Sequence, residues 1–238
     1  MERFTEDALR ILRAIRFSAQ LDFSIEQDTW EAISRIAPNI AKVSKERIQV
    51  ELTKLLLSGH PEKMRQVFET GISPYVSEAF ARIPWNRISI PAGLPAKKYV
   101  RWAAFLRVLP PEDAVQVLKD LKLDNDTVRK VRTLVTFSGM ELPPLEAEVR
   151  RGMSRMEPEV WDALLELNGY GREIFRLTER IRQRGDCLDL RHLAVKGQDL
   201  IAAGVTPGKQ IGDCLERLFD HVLEHPEDNE KGILMKMV

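Results

Sequence analysis

The chain has 238 residues, 44% hydrophobic and 30% charged, with 36 basic and 36 acidic side chains and a formal net charge of zero. That is the composition of a soluble globular protein long enough for a real core, and its neutrality means that a nucleic-acid partner must be held by local patches and not by an overall positive field. Charged residues directly after Met1, the lack of any ~20-residue apolar run, and two cysteines at no metal or redox spacing predict a cytoplasmic protein with reduced thiols, no signal peptide and no membrane partner.

Helical periodicity runs through nearly the whole chain, and no convincing alternating strand is found, so the expected fold class is all-α and multi-helical. The first helix is expected over residues 1–20. It has no Gly or Pro, Thr5 can act as its N-cap, and Glu6 and Asp7 then sit in the first turn, where the helix dipole favours negative charge. Ala8, Leu9, Ile11, Leu12, Ile15 and Ala19 share one apolar arc, while Asp7, Arg10, Arg13 and Arg16 step by three along the other side. A carboxylate only accepts hydrogen bonds and a guanidinium only donates them. An Asp beside an Arg therefore suits the pairing edges of cytosine and adenine and mismatches those of uracil and guanine. The further arginines could contact a triphosphate. The same residues also suit a solvated helix face carrying an Asp–Arg pair.

Arg3-Phe4 followed by Glu6-Asp7-x-x-Arg10-x-x-Arg13-x-x-Arg16-Phe17 resembles the nucleotide-selecting motif of the class II tRNA nucleotidyltransferases, the CCA-adding enzymes. In that family this helix opens the neck domain and serves as a protein template for CTP and ATP. The resemblance implies base selection by Asp7 and Arg10, with Arg13 and Arg16 near the bound nucleotide.

A second helix is expected over 25–37, capped by Ser24 and broken by Pro38 and Asn39, and a third over about 45–58, capped by Ser44. Ser44-Lys45-Glu46-Arg47-Ile48-x-x-Glu51-Leu52 also resembles a neck-domain motif of the family. Glu46 suits the positive end of the dipole, and Arg47 with Glu51 forms an i,i+4 pair. Glu6, Glu46 and Arg47 thus read as support for the motif, with Arg47 bracing a carboxylate on the first helix. A further helix covers about 61–70 and stops at Gly71.

Residues 83–95 carry Pro84, Pro91, Gly93 and Pro95 and read as a connection between domains. Helices resume over about 97–109, 112–121, 126–138, 145–152, 157–167 and 171–184. The last carries Arg172, Arg176, Arg180, Arg182 and Arg184, which suits either an RNA backbone or a solvated face laced with ion pairs. This block resembles the family's body domain more loosely, and no metal-dependent phosphohydrolase His-Asp pair is visible in it.

The tail reads Leu193-x-Val195-Lys196-Gly197-x-Asp199-Leu200-Ile201-x-x-Gly204-Val205-x-Pro207-Gly208-Lys209-x-Ile211-Gly212, with Pro226 and Asn229 further on. It resembles the C-terminal tail of bacterial CCA-adding enzymes, which engages the elbow of tRNA. The resemblance marks Lys196, Gly197, Gly204, Gly208, Lys209 and Gly212 for tRNA binding. On geometry alone, Gly204 can end a short helix in the left-handed region, Thr206 can cap the next with Pro207 at its first position, and Gly208 with Lys209 can present N–H groups and a cation to a phosphate. Gly212 would admit a backbone or a sugar at close range. His221 and His225 are four apart, but the glutamate between them is not where a zinc protease needs it, so no metal site is expected.

The expected organisation is a neck over 1–82, a body over 83–185 and a tail over 186–238. The carboxylates that hold Mg2+ for nucleotidyl transfer belong, in the family, to an N-terminal catalytic head on a β-sheet. No counterpart is present; Asp124-Asn125-Asp126 matches the head's Asp-x-Asp by letters only. The chain is therefore expected to bind no cofactor of its own and to be inactive alone, with tRNA, CTP, ATP and the head domain as partners of the parent protein. A poly(A) polymerase fragment and a headless helical RNA-binding adaptor are the alternatives.

Overall fold

The computed structural model describes residues 8–238, and among these there is no strand. Thr5, Glu6 and Asp7 lie outside the described residues. The described residues form fifteen α-helices: α1 (Leu9–Leu21), α2 (Gln27–Ile36), α3 (Lys45–Leu56), α4 (Arg65–Glu69), α5 (Ser73–Val76), α6 (Glu78–Ala81), α7 (Lys98–Leu106), α8 (Pro111–Asp120), α9 (Asn125–Thr136), α10 (Glu146–Ser154), α11 (Pro158–Asn168), α12 (Arg172–Arg184), α13 (Gly197–Ala202), α14 (Lys209–Glu224) and α15 (Lys231–Leu234). They fall into two compact units that divide after Gly139.

In the first unit α1 packs on α3, burying Ala8, Leu9, Ile11, Leu12, Ile15 and Ala19, the apolar arc expected from the sequence. Ser18 is buried with them because its hydroxyl is satisfied, donating to the Ile15 carbonyl at 2.8 Å and to Gln66 Oε1 at 3.1 Å. Asp22 ends α1 in the left-handed region at φ 52°. An aromatic group of Phe68, Phe80, Phe105 and Trp102 ties α4, α6 and α7 together, with Phe68 stacked on Phe80 at 5.1 Å. The Trp102 indole donates to Thr53 Oγ1 on α3 at 3.0 Å. Residues 83–97 are irregular apart from a 3-10 turn at Trp85–Arg87, yet Ile83 and Leu94 are buried in this unit.

In the second unit Trp161 on α11 is fully buried, against Gly152 of α10, and donates to Thr178 Oγ1 on α12 at 3.1 Å. A separate cluster of Cys187, Leu193, Val195, Leu200, Cys214, Leu218, Val222 and Leu234 holds the tail together. Arg150 links the two parts. It is 3% exposed, and it donates to the Leu223 and Glu224 carbonyls at the end of α14 and to Glu146 and Asp186. A cation bonded to the last carbonyls of a helix complements its dipole.

Three expected helix signals resolve differently. Glu26, not Ser24, is the N-cap of α2, its carbonyl accepting from Trp30 N at 2.9 Å, and Ser24 lies exposed two residues upstream. Pro38 does not stop the chain, which passes directly into a 3-10 helix at Ala37–Lys42; near a helix start the missing proline N–H costs nothing. In the tail, α14 starts at Lys209 behind Gly208, at φ 113° and ψ −136°, so Thr206 and Pro207 remain in the loop. Only glycine takes that backbone readily, and it turns the chain into the helix later than the Thr-Pro pair predicts.

Candidate functional site

The first candidate surface is the polar side of α1. Arg10 is half-buried and makes no hydrogen bond or ion pair among the described residues. Arg13 and Arg16 converge on one carboxylate. Arg13 Nε lies 3.3 Å from Glu51 Oε1 and Arg16 Nε lies 2.7 Å from Glu51 Oε2. Glu51 projects from α3 and is only 5% exposed. The Arg16 Nη1 also donates to Gln20 Oε1 at 2.6 Å, and its guanidinium lies over the Phe17 ring at 3.9 Å. Both arginines are thus held by Nε, the inner edge of the guanidinium, which fixes their rotamers.

Sequence reasoning assigned Glu51 to Arg47 on its own helix and missed this link between α1 and α3. The signal was available: Glu51 falls among Ile48, Leu52 and Leu55, all buried, so its carboxylate had to meet a cation from a packed neighbour. Glu46, in the first turn of α3, and Arg47 beside it are exposed.

The second candidate surface is the tail loop and its flanking helices. From Ile201 to Gln210 every residue is exposed except Val205, which is half-buried. Gly204 takes φ 93° after α13, and the following Val205 N bonds back to the Leu200 carbonyl at 2.9 Å, the left-handed stop expected from the sequence. Lys209 is exposed at the first turn of α14. Gly197 has a packing role, since a Cβ there would meet Ile211 Cγ2 at 3.3 Å. A Cβ at Gly212 would meet nothing within 4 Å. Lys196 donates through Nζ to the Arg191 carbonyl at 2.5 Å, and its backbone N–H donates to Asp199 at 2.9 Å. Asn229 has a structural task, accepting from Ala194 N at 2.8 Å and donating to the His192 carbonyl at 3.1 Å.

Charges elsewhere are largely committed to the fold. Asp124 is the N-cap of α9, bonded to Thr127 N at 2.8 Å and to Lys98 at 2.6 Å, and these bonds hold its carboxyl well below the usual range. Asp126 pairs with Lys130 and, after it, Arg129, and they pull its carboxyl down too. Arg191 beside Asp189 lowers that carboxyl to about 2. Arg184, and after it Arg180 and Arg150, depress Glu146. Burial pushes the Cys187 thiol up. His221 Nε2 lies 2.7 Å from Asp228. Among the described residues no group of three or more His, Cys, Asp or Glu side chains converges to hold a metal.

Comparison with known proteins places this architecture. Residues 22–82 match the family model "Probable RNA and SrmB- binding site of polymerase A", and residues 96–238 match that of tRNA nucleotidyltransferase domain 2. The second match covers well over half of the chain, and the chain belongs to the tRNA nucleotidyltransferase family. Among curated relatives, a CCA-adding enzyme of Enterococcus faecalis is 29% identical over 263 residues, covering 98% of this chain and 59% of its own length. One of Geobacillus kaustophilus is 30% identical, covering 97% and 59%. The crystal structure of the Bacillus stearothermophilus CCA-adding enzyme with CTP shares the fold at a TM-score of 0.75 and 24% identity, over 99% of this chain and 63% of that one. A CCA-adding enzyme with ATP aligns at 0.56 and 20%, over 92% and 56%. The chain therefore spans about 60% of the length of these curated relatives. Among the described residues no helix is long and apolar enough to cross a membrane.

Proposed function

We propose that this chain is the base-selecting and tRNA-gripping portion of a CCA-adding tRNA nucleotidyltransferase, with a neck over 1–82, a body over 83–185 and a tail over 186–238. The observation that carries the proposal is the Glu51 clamp. A buried carboxylate on α3 holds Arg13 and Arg16 at fixed positions along α1, on the helix that also bears Arg10. A protein template must be rigid before the nucleotide arrives, because a mobile guanidinium would pair with any acceptor. In this reading Asp7 and Arg10 address the donor and acceptor edge of cytosine or adenine. Arg13 and Arg16, braced at Nε, hold the geometry; Arg13, 44% exposed, offers its outer nitrogens to the nucleotide, while Arg16, with Nη1 on Gln20, has only Nη2 left to offer. Glu6, Glu46 and Arg47 support the motif.

In the tail, Gly204, Gly208, Lys209 and Gly212 form an exposed, small-residue surface that suits a close-packed sugar–phosphate backbone, with Lys196 and Gly197 shaping its edge. The CTP and ATP of the parent reaction, and the metal-bound carboxylates that transfer them, belong to a catalytic head domain of the same protein.

The test has two arms. This chain alone should bind tRNA in a low-salt titration and incorporate no radiolabelled CTP. In the protein joined to its head, Asp7→Ala with Arg10→Ala should lose discrimination of C and A from U and G. Robust incorporation by the isolated chain, or unaltered base choice in the double variant, would refute the reading. The polymerase A match at residues 22–82 keeps one rival in view. The products separate them, since a poly(A) polymerase extends with A alone.

A further inference from the structure

The arginines of α12 fall into two sets. Arg180 pairs with Glu146 at 3.2 Å, Arg182 with Asp162 at 2.8 Å, and Arg184 with Glu146 and Asp186 at 2.6 and 2.9 Å. These three serve the fold. Arg172 and Arg176 are exposed and make no hydrogen bond or ion pair among the described residues, although Glu173 lies three positions before Arg176.

Helical projection puts Arg172, Phe175 and Arg176 together, away from the buried residues Ile174, Leu177, Thr178 and Ile181; Glu179 shares this face, but its carboxylate accepts from Gln183 at 3.0 Å and not from either arginine. Each of the three is placed against the interest of the isolated fold. Two like charges at i,i+4 repel by a few tenths of a kcal/mol. Arg172, in the first turn, also opposes the helix dipole. Phe175 is 40% exposed, while the other apolar side chains of α12 are buried. Three mildly unfavourable choices on one face call for a ligand that takes guanidiniums and an aromatic ring at once.

We propose that Arg172, Phe175 and Arg176 form an RNA-backbone contact separate from the tail loop. The two arginines, whose backbones are about 6 Å apart along the helix axis, take phosphate oxygens, and the Phe175 ring packs on the intervening ribose or on an unpaired base. The inference rests on the tRNA-binding reading above. It adds a second point of attachment, so that the RNA is held at two places on this unit.

The test is a set of tRNA-binding isotherms with the full chain at several salt concentrations. Arg172→Ala with Arg176→Ala should weaken binding roughly fivefold or more at low salt and flatten the log–log salt slope by about one to two. Phe175→Ala should weaken binding roughly fivefold with the slope unchanged. Lys119→Ala with Lys122→Ala, an equal loss of charge on the first unit, should change little. All three variants alter exposed side chains, so an unchanged helical circular dichroism signal verifies that they fold. Parental affinity and slope in the double arginine variant, or an equal loss in the lysine control, would overturn this contact alone. Failure of the unaltered chain to bind tRNA would instead sink the tRNA reading and this inference with it.

Discussion

Arg16 donates through Nε to Glu51 at 2.7 Å, and the carboxylate that receives it is 5% exposed. The same carboxylate holds Arg13 at 3.3 Å, so one acid on α3 sets two positions on α1. Removing it leaves two guanidiniums without the carboxylate they share. Breaking a fully buried pair costs about 3–5 kcal/mol. Arg13 is 44% exposed and finds water, so we expect about 2–3 kcal/mol from Glu51→Ala and less from Glu51→Gln, which keeps one acceptor oxygen. Urea unfolding followed by tryptophan fluorescence measures it, since Trp30, Trp85 and Trp102 all lie in this unit. A midpoint shift near zero would mean that the clamp does not hold α1.

Asp124 gives a prediction with a pH signature. Its carboxyl is held well below the usual range by Lys98 first and by the Thr127 N–H next. A carboxyl whose folded pKa is depressed contributes its full stability above the unfolded pKa of about 4. It loses that contribution as pH falls through the folded value. Asp124→Ala should therefore cost about 1 kcal/mol at pH 7, the usual worth of an N-cap at a site open to solvent. The difference between variant and parent should shrink as pH drops below about 4. A gap that stays constant from pH 7 to pH 3 would show that the cap is not acting as an ionised acid.

The contrast between Asp124 and Glu51 shows what can be read from a sequence. Asp124 is a local signal: it and Asn125 both stand directly before a helical run where either can cap, and the structure puts Asp124 at the N-cap. The apolar arc of α1 and the glycine stop at Gly204 are local in the same sense, and both appear as expected. The Glu51 clamp depends on residues 35 and 38 positions away, and no spacing rule within one helix predicts it. The three-residue step of Arg10, Arg13 and Arg16 is visible in the sequence; that Glu51 needs a cation is visible too, from its buried neighbours, but which cations meet it is not. The arginines of α12 likewise looked alike until Glu146, Asp162 and Asp186 were folded beside three of them.

Gly152 should tolerate nothing larger. It lies within α10, where alanine is ordinarily better than glycine by about 1 kcal/mol. A Cβ here would come within 2.3 Å and 2.5 Å of Trp161 ring carbons. The indole cannot swing aside freely, because it is fully buried and bonded to Thr178 at 3.1 Å. Gly152→Ala should therefore destabilise by about 2 kcal/mol or more, through overpacking that outweighs the gain in helix propensity. Calorimetry would show a lower melting temperature, and Trp161 emission would shift. A variant as stable as the parent would mean that α10 and α11 can separate at no cost.

Gly212 poses the opposite case in the tail. It sits in the first turns of α14, exposed, with open space where a Cβ would go and no left-handed backbone to demand glycine. Neither packing nor conformation requires it, and the helix loses about 0.5–1 kcal/mol by carrying it. Gly212→Ala should raise the melting temperature and, if an RNA backbone seats against this turn, lower tRNA affinity at the same time. Gly208 would be a poorer probe, because its φ of 113° makes any replacement strained whether or not RNA binds. Opposite movement of stability and affinity in one methyl substitution separates a binding role from a folding role. Equal tRNA affinity in the stabilised variant would remove this face of α14 from the interface.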